Sequence, residues 1–190
     1  FSLSRGLGDV YKRQGQGYIQ TTPIQLCLMT AQIANGGYKI YPHIVVNNDV
    51  KVQPSDKYMP LYENSNNIKI VKDAMFGSTN EVMGTSYRSR IDDPKYQFAG
   101  KTGTAQVKKI TERERELDLK TFEIPYEERD HALYVAFGPY KNPRYALSVI
   151  VEHGGNGSTT AAPMATKLFK LIIDRHKIRQ SMDEKKYLEI

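Results

Sequence analysis

"HALYVAFGPY" (His131–Tyr140) and "YALSVIVEHGG" (Tyr145–Gly155) are two apolar, β-rich runs separated by "KNPR" (Lys141–Arg144). A proline and an asparagine between two such runs are a hairpin signal, so the pair reads as adjacent antiparallel strands. Upstream, "FAGKTGTAQV" (Phe98–Val107) has the same extended character around a polar centre. Three sequential strands are therefore predicted at Phe98–Val107, His131–Tyr140 and Tyr145–His153. Downstream, Ala161-Ala162-Pro163 opens a helix through "MATKLFKLIIDRH", with Met164, Leu168, Leu171 and Ile172 as its apolar stripe. Strands in a run, with helices before and after them, make the fold class α+β: an antiparallel sheet flanked by helices rather than a doubly wound sheet.

Two helices are predicted before the strands. In "TTPIQLCLMTAQIANGG", Thr22 is an N-cap, Pro23 suits the first helical position and Gln25 completes a capping box. Ile24, Leu28 and Ile33 mark its apolar face, and Gly36-Gly37 its stop. A second helix is predicted over roughly Ile68–Phe76, with Ile68, Val71, Met75 and Phe76 inward, followed by a loop through "MGTSYRSR". "YPHIVVNNDVKVQP" reads as a short hairpin turning at Asn47-Asn48 or Asn48-Asp49. Between Lys108 and Asp130, six positive and eight negative residues fill 14 of 23 positions, the composition of a solvated excursion.

Bulk properties narrow the classes. The chain has 190 residues, 39% hydrophobic and 25% charged, which is globular composition. No run of 18 apolar residues is present to span a bilayer. A net charge of +6 reads as a basic soluble surface, and no basic run interleaved with aromatics supports nucleic-acid binding. The single cysteine, Cys27, excludes an internal disulfide and a cysteine-rich zinc site. It reads as a small buried hydrophobe. His43, His131 and His176 have no partner at metal-ligand spacing, and His153 lies in a loop after the last strand. No cofactor or metal is implied.

The chain opens on Phe1 rather than Met, which reads as a fragment or a processed product. "FSLSRGLGDVYKRQ" (Phe1–Gln14) has no helix or strand period and resembles translated sequencing-adaptor read-through. The expected organisation is a non-native tail over 1–14, a folded domain over 15–176 and a polar tail over 177–190.

The chemistry concentrates in Lys101-Thr102-Gly103-Thr104. On a strand, Lys101 and Gly103 share one face, Thr102 and Thr104 the other. If this is an edge strand, its backbone can receive an extended peptide as an added strand. Gly103 then removes a side chain that would obstruct approach, Lys101 brings positive charge, and the Thr104 N–H can act as an oxyanion donor, a role worth about 10²–10³ in rate.

This stretch resembles the K-T-G motif of the penicillin-binding transpeptidases, whose other motifs are S-x-x-K and S-x-N. "GQGYIQTTPIQL", "RDHALYVAFGPYKNPRYALSVIVEHGGNGS" and "AAPMATKLF" are similar to the elongation-type class B members, so the resemblance covers about Gly15 to Arg175. It implies a C-terminal part of a transpeptidase domain that binds D-Ala-D-Ala stem peptides of peptidoglycan, and β-lactam antibiotics, along the K-T-G strand. Lys101 and Thr104 take catalytic roles, and Lys101, Thr102, Gly103 and Thr104 bind substrate. It also implies a glycosyltransferase partner and a place at the periplasmic face of the inner membrane, through an anchor outside this chain. No serine here has a lysine three residues on, so the nucleophile motif is missing. Ser65-Asn66-Asn67 and Ser78-Thr79-Asn80 match S-x-N only as strings, because in the family that motif precedes the G-Q-G block. A β-lactamase of the same fold and a non-catalytic penicillin-sensing or interaction domain remain as alternatives.

Overall fold

The computed structural model describes residues 20–42, 59–107 and 119–188, with the side chains of the last helix described only at 162–175 and 178. The 1–14 tail, all but the first two residues of the 41–54 hairpin, and the 108–118 part of the charged excursion lie outside these residues.

Three antiparallel strands form one sheet in the order β1 (Ala99–Ala105), β2 (His131–Gly138), β3 (Tyr145–Val151). The three strands expected from the sequence are present, and among the described residues β1 is an edge strand. The register pairs Lys101 with Val135, Thr102 with Tyr134, Gly103 with Leu133 and Thr104 with Ala132. β2 is central, and its alternation divides the core. Ala132, Tyr134 and Ala136 face one side, where they meet Phe98, Leu147 and a helix, α3 (Ala162–Leu188). Val135 and Phe137 face the other side and meet Ala99, Ala146 and two helices, α1 (Pro23–Ala34) and α2 (Ser65–Asn80). The result is a helix–sheet–helix sandwich with β2 as its central strand.

α1 starts as its sequence dictates. The Thr22 N–H donates to Gln25 Oε1 (2.8 Å), and the Gln25 N–H donates to Thr22 Oγ1 (3.3 Å). It ends at Gly36 and Gly37, whose φ values of 96° and 88° need glycine. Its buried face differs from the expected one. Ile24 is 60% exposed, while Thr30 and Ala34 are buried and the Cys27 thiol donates to the Ala146 carbonyl (3.4 Å). Small residues face β3 here because the helix lies close against the strand. Ile24 and Met29 are exposed, Leu28 is half-buried, and Ile33 packs against the core beside Ala34.

α2 is longer than expected. Asn64 Oδ1 caps it by accepting from the Asn66 N–H (2.9 Å), and the helix runs to Asn80. Met75, Gly77 and Thr79 are its buried residues, Ile68 and Phe76 are half-buried, and Val71 is exposed. Both S-x-N strings therefore fall in α2, one in its first turn and one in its last.

α3 is also out of phase with the predicted stripe. Ala162, Ala165, Phe169 and Ile173 are buried, while Met164, Leu168 and Leu171 are exposed. Alanines let the helix settle onto the sheet, and Phe169 fills the remaining gap by stacking on Phe98 (centroids 4.9 Å, planes 19° apart). The helix also continues beyond His176 to Leu188, through the segment expected to be a polar tail. That stretch is rich in Lys, Arg, Glu and Gln, holds no Gly or Pro, and so has nothing to stop a helix.

Candidate active site on the edge strand

β1 places Lys101, Thr102, Gly103 and Thr104 on the sheet edge, in the arrangement expected of the motif. Lys101 is exposed; the other three are half-buried. The Lys101 ammonium bends over its own strand. Nζ donates to the Thr102 carbonyl (2.9 Å) and to Thr102 Oγ1 (3.2 Å). A cation held at that point sits beside the strand edge along which a peptide would lie.

The two glycines of the stretch do different work. A Cβ on Gly100 would stand 2.3 Å from the Tyr134 hydroxyl, so Gly100 is required by packing beneath the strand. A Cβ on Gly103 would meet only Leu133 Cβ, at 3.3 Å. Gly103 is therefore not fixed by packing as Gly100 is, and the strand carries no side chain there beside Lys101.

Two hydroxyl networks hold this strand, and neither was visible in the sequence. On the exposed side, Ser78 Oγ, Thr85 Oγ1 and Thr102 Oγ1 are linked at 3.2 and 3.3 Å. The 84–86 loop is pressed onto the end of α2, since a Cβ on Gly84 would lie 2.4 Å from the Ser78 carbonyl oxygen. In the interior, the Tyr134 hydroxyl meets Thr79 Oγ1 (2.9 Å) and Ser86 Oγ (3.0 Å). Burial pushes the Tyr134 phenol up, and its two hydroxyl partners oppose that only partly. Asn80 Nδ2 donates to the Phe98 carbonyl (2.9 Å) and ties the last turn of α2 to the residue just before β1. Asn80 thus anchors the start of β1 directly, and Thr79 ties α2 to the Tyr134 hydroxyl on β2, which lies against Gly100 of β1. The only sequence trace of these networks is the density of Ser, Thr and Asn between 78 and 89, and that does not name partners.

His131 and His153 form a pair at the other end of the motif. His131 lies opposite Ala105, one residue past Thr104. The His153 N–H donates to His131 Nδ1 (2.9 Å), and the two rings meet edge to face at 4.9 Å. His153 adopts φ 55°, so the pair is part of a tight turn. Among the described residues no group of three or more His, Cys, Asp or Glu could hold a metal ion, and no helix is long and apolar enough to cross a membrane.

Comparison with known proteins agrees with this geometry. The penicillin-binding protein transpeptidase domain matches residues 7–172. The peptidoglycan D,D-transpeptidase MrdA of Salmonella typhimurium is 35% identical over 166 residues, covering 84% of this chain and 26% of that protein. Its counterpart from Haemophilus influenzae is 34% identical over 166 residues, covering 85% and 25%. Among solved structures, a complex between penicillin-binding protein PBP2 and MreC from Helicobacter pylori aligns with a TM-score of 0.69 at 30% identity, covering 86% of this chain and 27% of that one. Pseudomonas aeruginosa PBP2 in complex with WCK 5153 gives 0.63 at 34%, covering 84% and 31%. The chain spans about a quarter of the length of the curated relatives it matches. With the family's domain matched across most of the chain and its K-T-G stretch on an edge strand, the chain belongs to the penicillin-binding protein transpeptidase domain family.

Proposed function

We propose that this chain is the C-terminal part of the transpeptidase domain of an elongation-type peptidoglycan D,D-transpeptidase, and that β1 is the edge on which a D-Ala-D-Ala stem peptide lies. The reading rests chiefly on one observation: Lys101-Thr102-Gly103-Thr104 occupies an edge strand in a chain matched to the family from residue 7 to 172. Catalysis in this family needs a serine from an S-x-x-K motif, which no serine of this chain satisfies. That serine is supplied by another part of the full-length protein.

The reaction is nucleophilic catalysis in two steps. The serine oxygen attacks the carbonyl carbon of the penultimate D-alanine. The peptide C–N bond breaks, D-alanine leaves with the proton, and an ester to the serine remains. The amine of a second stem peptide then attacks that ester, the C–O bond breaks, and the proton returns to the serine oxygen. Lys101 contributes positive charge for the terminal carboxylate and for proton movement. Thr102 and Thr104 contribute hydroxyls to the carboxylate, and the Thr104 N–H stabilises the oxyanion. A β-lactam occupies the same edge and stops at the ester.

As partners we propose peptidoglycan stem peptides, a cell-wall glycosyltransferase and, given the Helicobacter pylori complex, an MreC-like protein. The place of action is the periplasmic face of the inner membrane, with the anchor outside this chain. Labelling with a fluorescent penicillin tests the reading. The full-length protein should label covalently and the 190-residue chain should not. Lys101→Ala in the full-length protein should slow labelling by about 10²-fold. Unchanged labelling of that variant would remove the role given to β1, and stoichiometric labelling of the 190-residue chain would place the nucleophile inside it.

A further inference from the structure

The segment that joins β3 to α3 lies on the sheet over the centre of the K-T-G-T motif. Residues Gly157–Ala161 form a single π-helical turn, and Gly157 and Ala161 are buried. Gly157 has no room for a side chain. A Cβ there would stand 2.5 Å from the Leu133 carbonyl oxygen and 2.6 Å from the Gly103 carbonyl oxygen. Leu133 and Gly103 are cross-strand partners, so Gly157 is seated on the seam between β1 and β2, at the one motif residue that has no side chain. The φ of Gly157 is not in the left-handed region, so its backbone conformation does not demand glycine. The contact with the two carbonyls does.

The turn cannot easily recoil from the strand. Asn156 Oδ1 accepts from the Ser158 N–H and from Ser158 Oγ, both at 2.8 Å. The Thr160 N–H donates to the Asn156 carbonyl (3.1 Å), and Thr160 Oγ1 donates to the Gly154 carbonyl (2.9 Å). The Gly155 N–H donates to the Asp130 carbonyl (2.8 Å), which pins the turn to the residue before β2. Behind it, Ala161 and Ala162 are fully buried in the cluster that holds Tyr134 and Phe169. The segment is a wedge with its base fixed on α3 and its tip on Gly103.

We propose that Gly157 is a positioning residue for the transpeptidase reaction. By setting how closely the wedge approaches the Gly103 carbonyl, it fixes the Gly103–Thr104 peptide, whose N–H is the proposed oxyanion donor. The inference rests on the transpeptidase reading of β1. It predicts that atoms added at a residue far from Lys101 in sequence will disturb chemistry at the strand edge.

The test uses the full-length protein with Gly157→Ala. Contacts of 2.5 and 2.6 Å fall short of the 3.0 Å floor for real Cβ contacts by 0.5 and 0.4 Å, so the wedge or β1 must shift by about that much. A displacement of that order at a reacting group should lower the acylation rate constant for a fluorescent penicillin by about ten-fold or more. Rapid-mixing kinetics resolve acylation and the non-covalent binding that precedes it as distinct steps, and the loss should fall mainly on acylation. Ile173→Ala, in the same core but on α3 away from β1, serves as a control for plain destabilisation. It should lower the melting temperature while leaving acylation within about two-fold of wild type, because Ile173 lies about 16 Å along α3 from its first turn, beyond the range over which effects usually couple. If Gly157→Ala does not fold, Asn156→Ala loosens the wedge without adding atoms and should slow acylation by about three-fold, again through misplacement. The proposal is overturned if Gly157→Ala, or Asn156→Ala in its place, acylates at the wild-type rate. It is equally overturned if the loss only matches that of Ile173→Ala. A wild-type protein that fails to label would overturn the transpeptidase reading itself, and this inference with it.

Discussion

The hydroxyl of Tyr134 offers the sharpest test of how the edge strand is held. Tyr134 is fully buried on β2, opposite Thr102, and its oxygen meets Thr79 Oγ1 at 2.9 Å and Ser86 Oγ at 3.0 Å. Tyr134→Phe removes both hydrogen bonds and leaves the ring in place. The partners are not equally stranded. Ser86 Oγ still donates to the Ser78 carbonyl (3.0 Å), whereas Thr79 Oγ1 keeps two long contacts, donating to the Met75 carbonyl and accepting from Ser86 Oγ, both at 3.4 Å. A net hydrogen bond contributes about 1 kcal/mol and an orphaned buried hydroxyl costs about 1–3 kcal/mol, so the variant should lose roughly 2 kcal/mol. For a chain of this size that is a fall of about 4–8 °C in melting temperature, followed by circular dichroism on the 190-residue chain. The diagnostic arm is the double variant Tyr134→Phe/Ser86→Ala. Removing both partners of a hydrogen bond costs less than the sum of removing each, so the two changes should be non-additive by more than about 0.5 kcal/mol. Strict additivity, or a Tyr134→Phe variant as stable as wild type, would show that the network does not anchor β1.

Other consequences can be checked on the same chain. Phe169→Ala should cost about 3–5 kcal/mol, because it empties a fully buried site stacked on Phe98, while Leu168→Ala, at 42% exposure, should stay within about 0.5 kcal/mol; similar losses would restore the stripe read from the sequence. Deleting residues 1–14 should leave the melting temperature unchanged within about 1–2 °C, and a fall of several degrees would make native structure of the segment, at least from residue 7, where the family match begins. The Tyr140 phenol is pushed up to about 12 by burial first, then by its hydrogen bond to Asp73 Oδ1 (2.6 Å) and the charge of that carboxylate. Because the folded value lies above the ordinary value of 10.0, the stability Tyr140 contributes is complete below about pH 10 and is lost as pH rises through about 12. Denaturant unfolding at a series of pH values should therefore show the gap between wild type and Tyr140→Phe shrinking across that window, and a gap that widens would reverse the sign.

The strands and the first helix were legible because their signals are local. A capping box, a Gly-Gly stop and an Asn-Pro turn act within a few residues of chain, and each is found where the sequence places it. The motif was legible for a different reason. It resembles the K-T-G stretch of a known family, and three sequential strands leave the first of them at an edge if each pairs only with its neighbours. The buried faces of the three helices were legible only in part: Met75, Phe76 and Ile33 pack inward as expected, while Ile24, Val71, Met164, Leu168 and Leu171 are exposed. The rule seeks large apolar residues, but where a helix approaches a sheet closely small ones share the contact, here Thr30 and Ala34 on α1, Gly77 and Thr79 beside Met75 on α2, and Ala162 and Ala165 beside Phe169 and Ile173 on α3. Some large side chains then turn outward, as Ile24, Val71 and Leu168 do. Gly157 was illegible for the same reason in a stronger form. A glycine in a polar G-G-x-G run reads as a turn, and only the sheet 2.5 Å from its missing Cβ reveals that it is a contact. Close approach is decided by what lies opposite in space. The residues that set the height of β1, namely Gly100, Gly157, Thr79 and Ser86, come from four separate segments whose partners are joined only by the fold. A single sequence therefore exposes the residues proposed to do chemistry on the strand sooner than the ones that hold the strand in place.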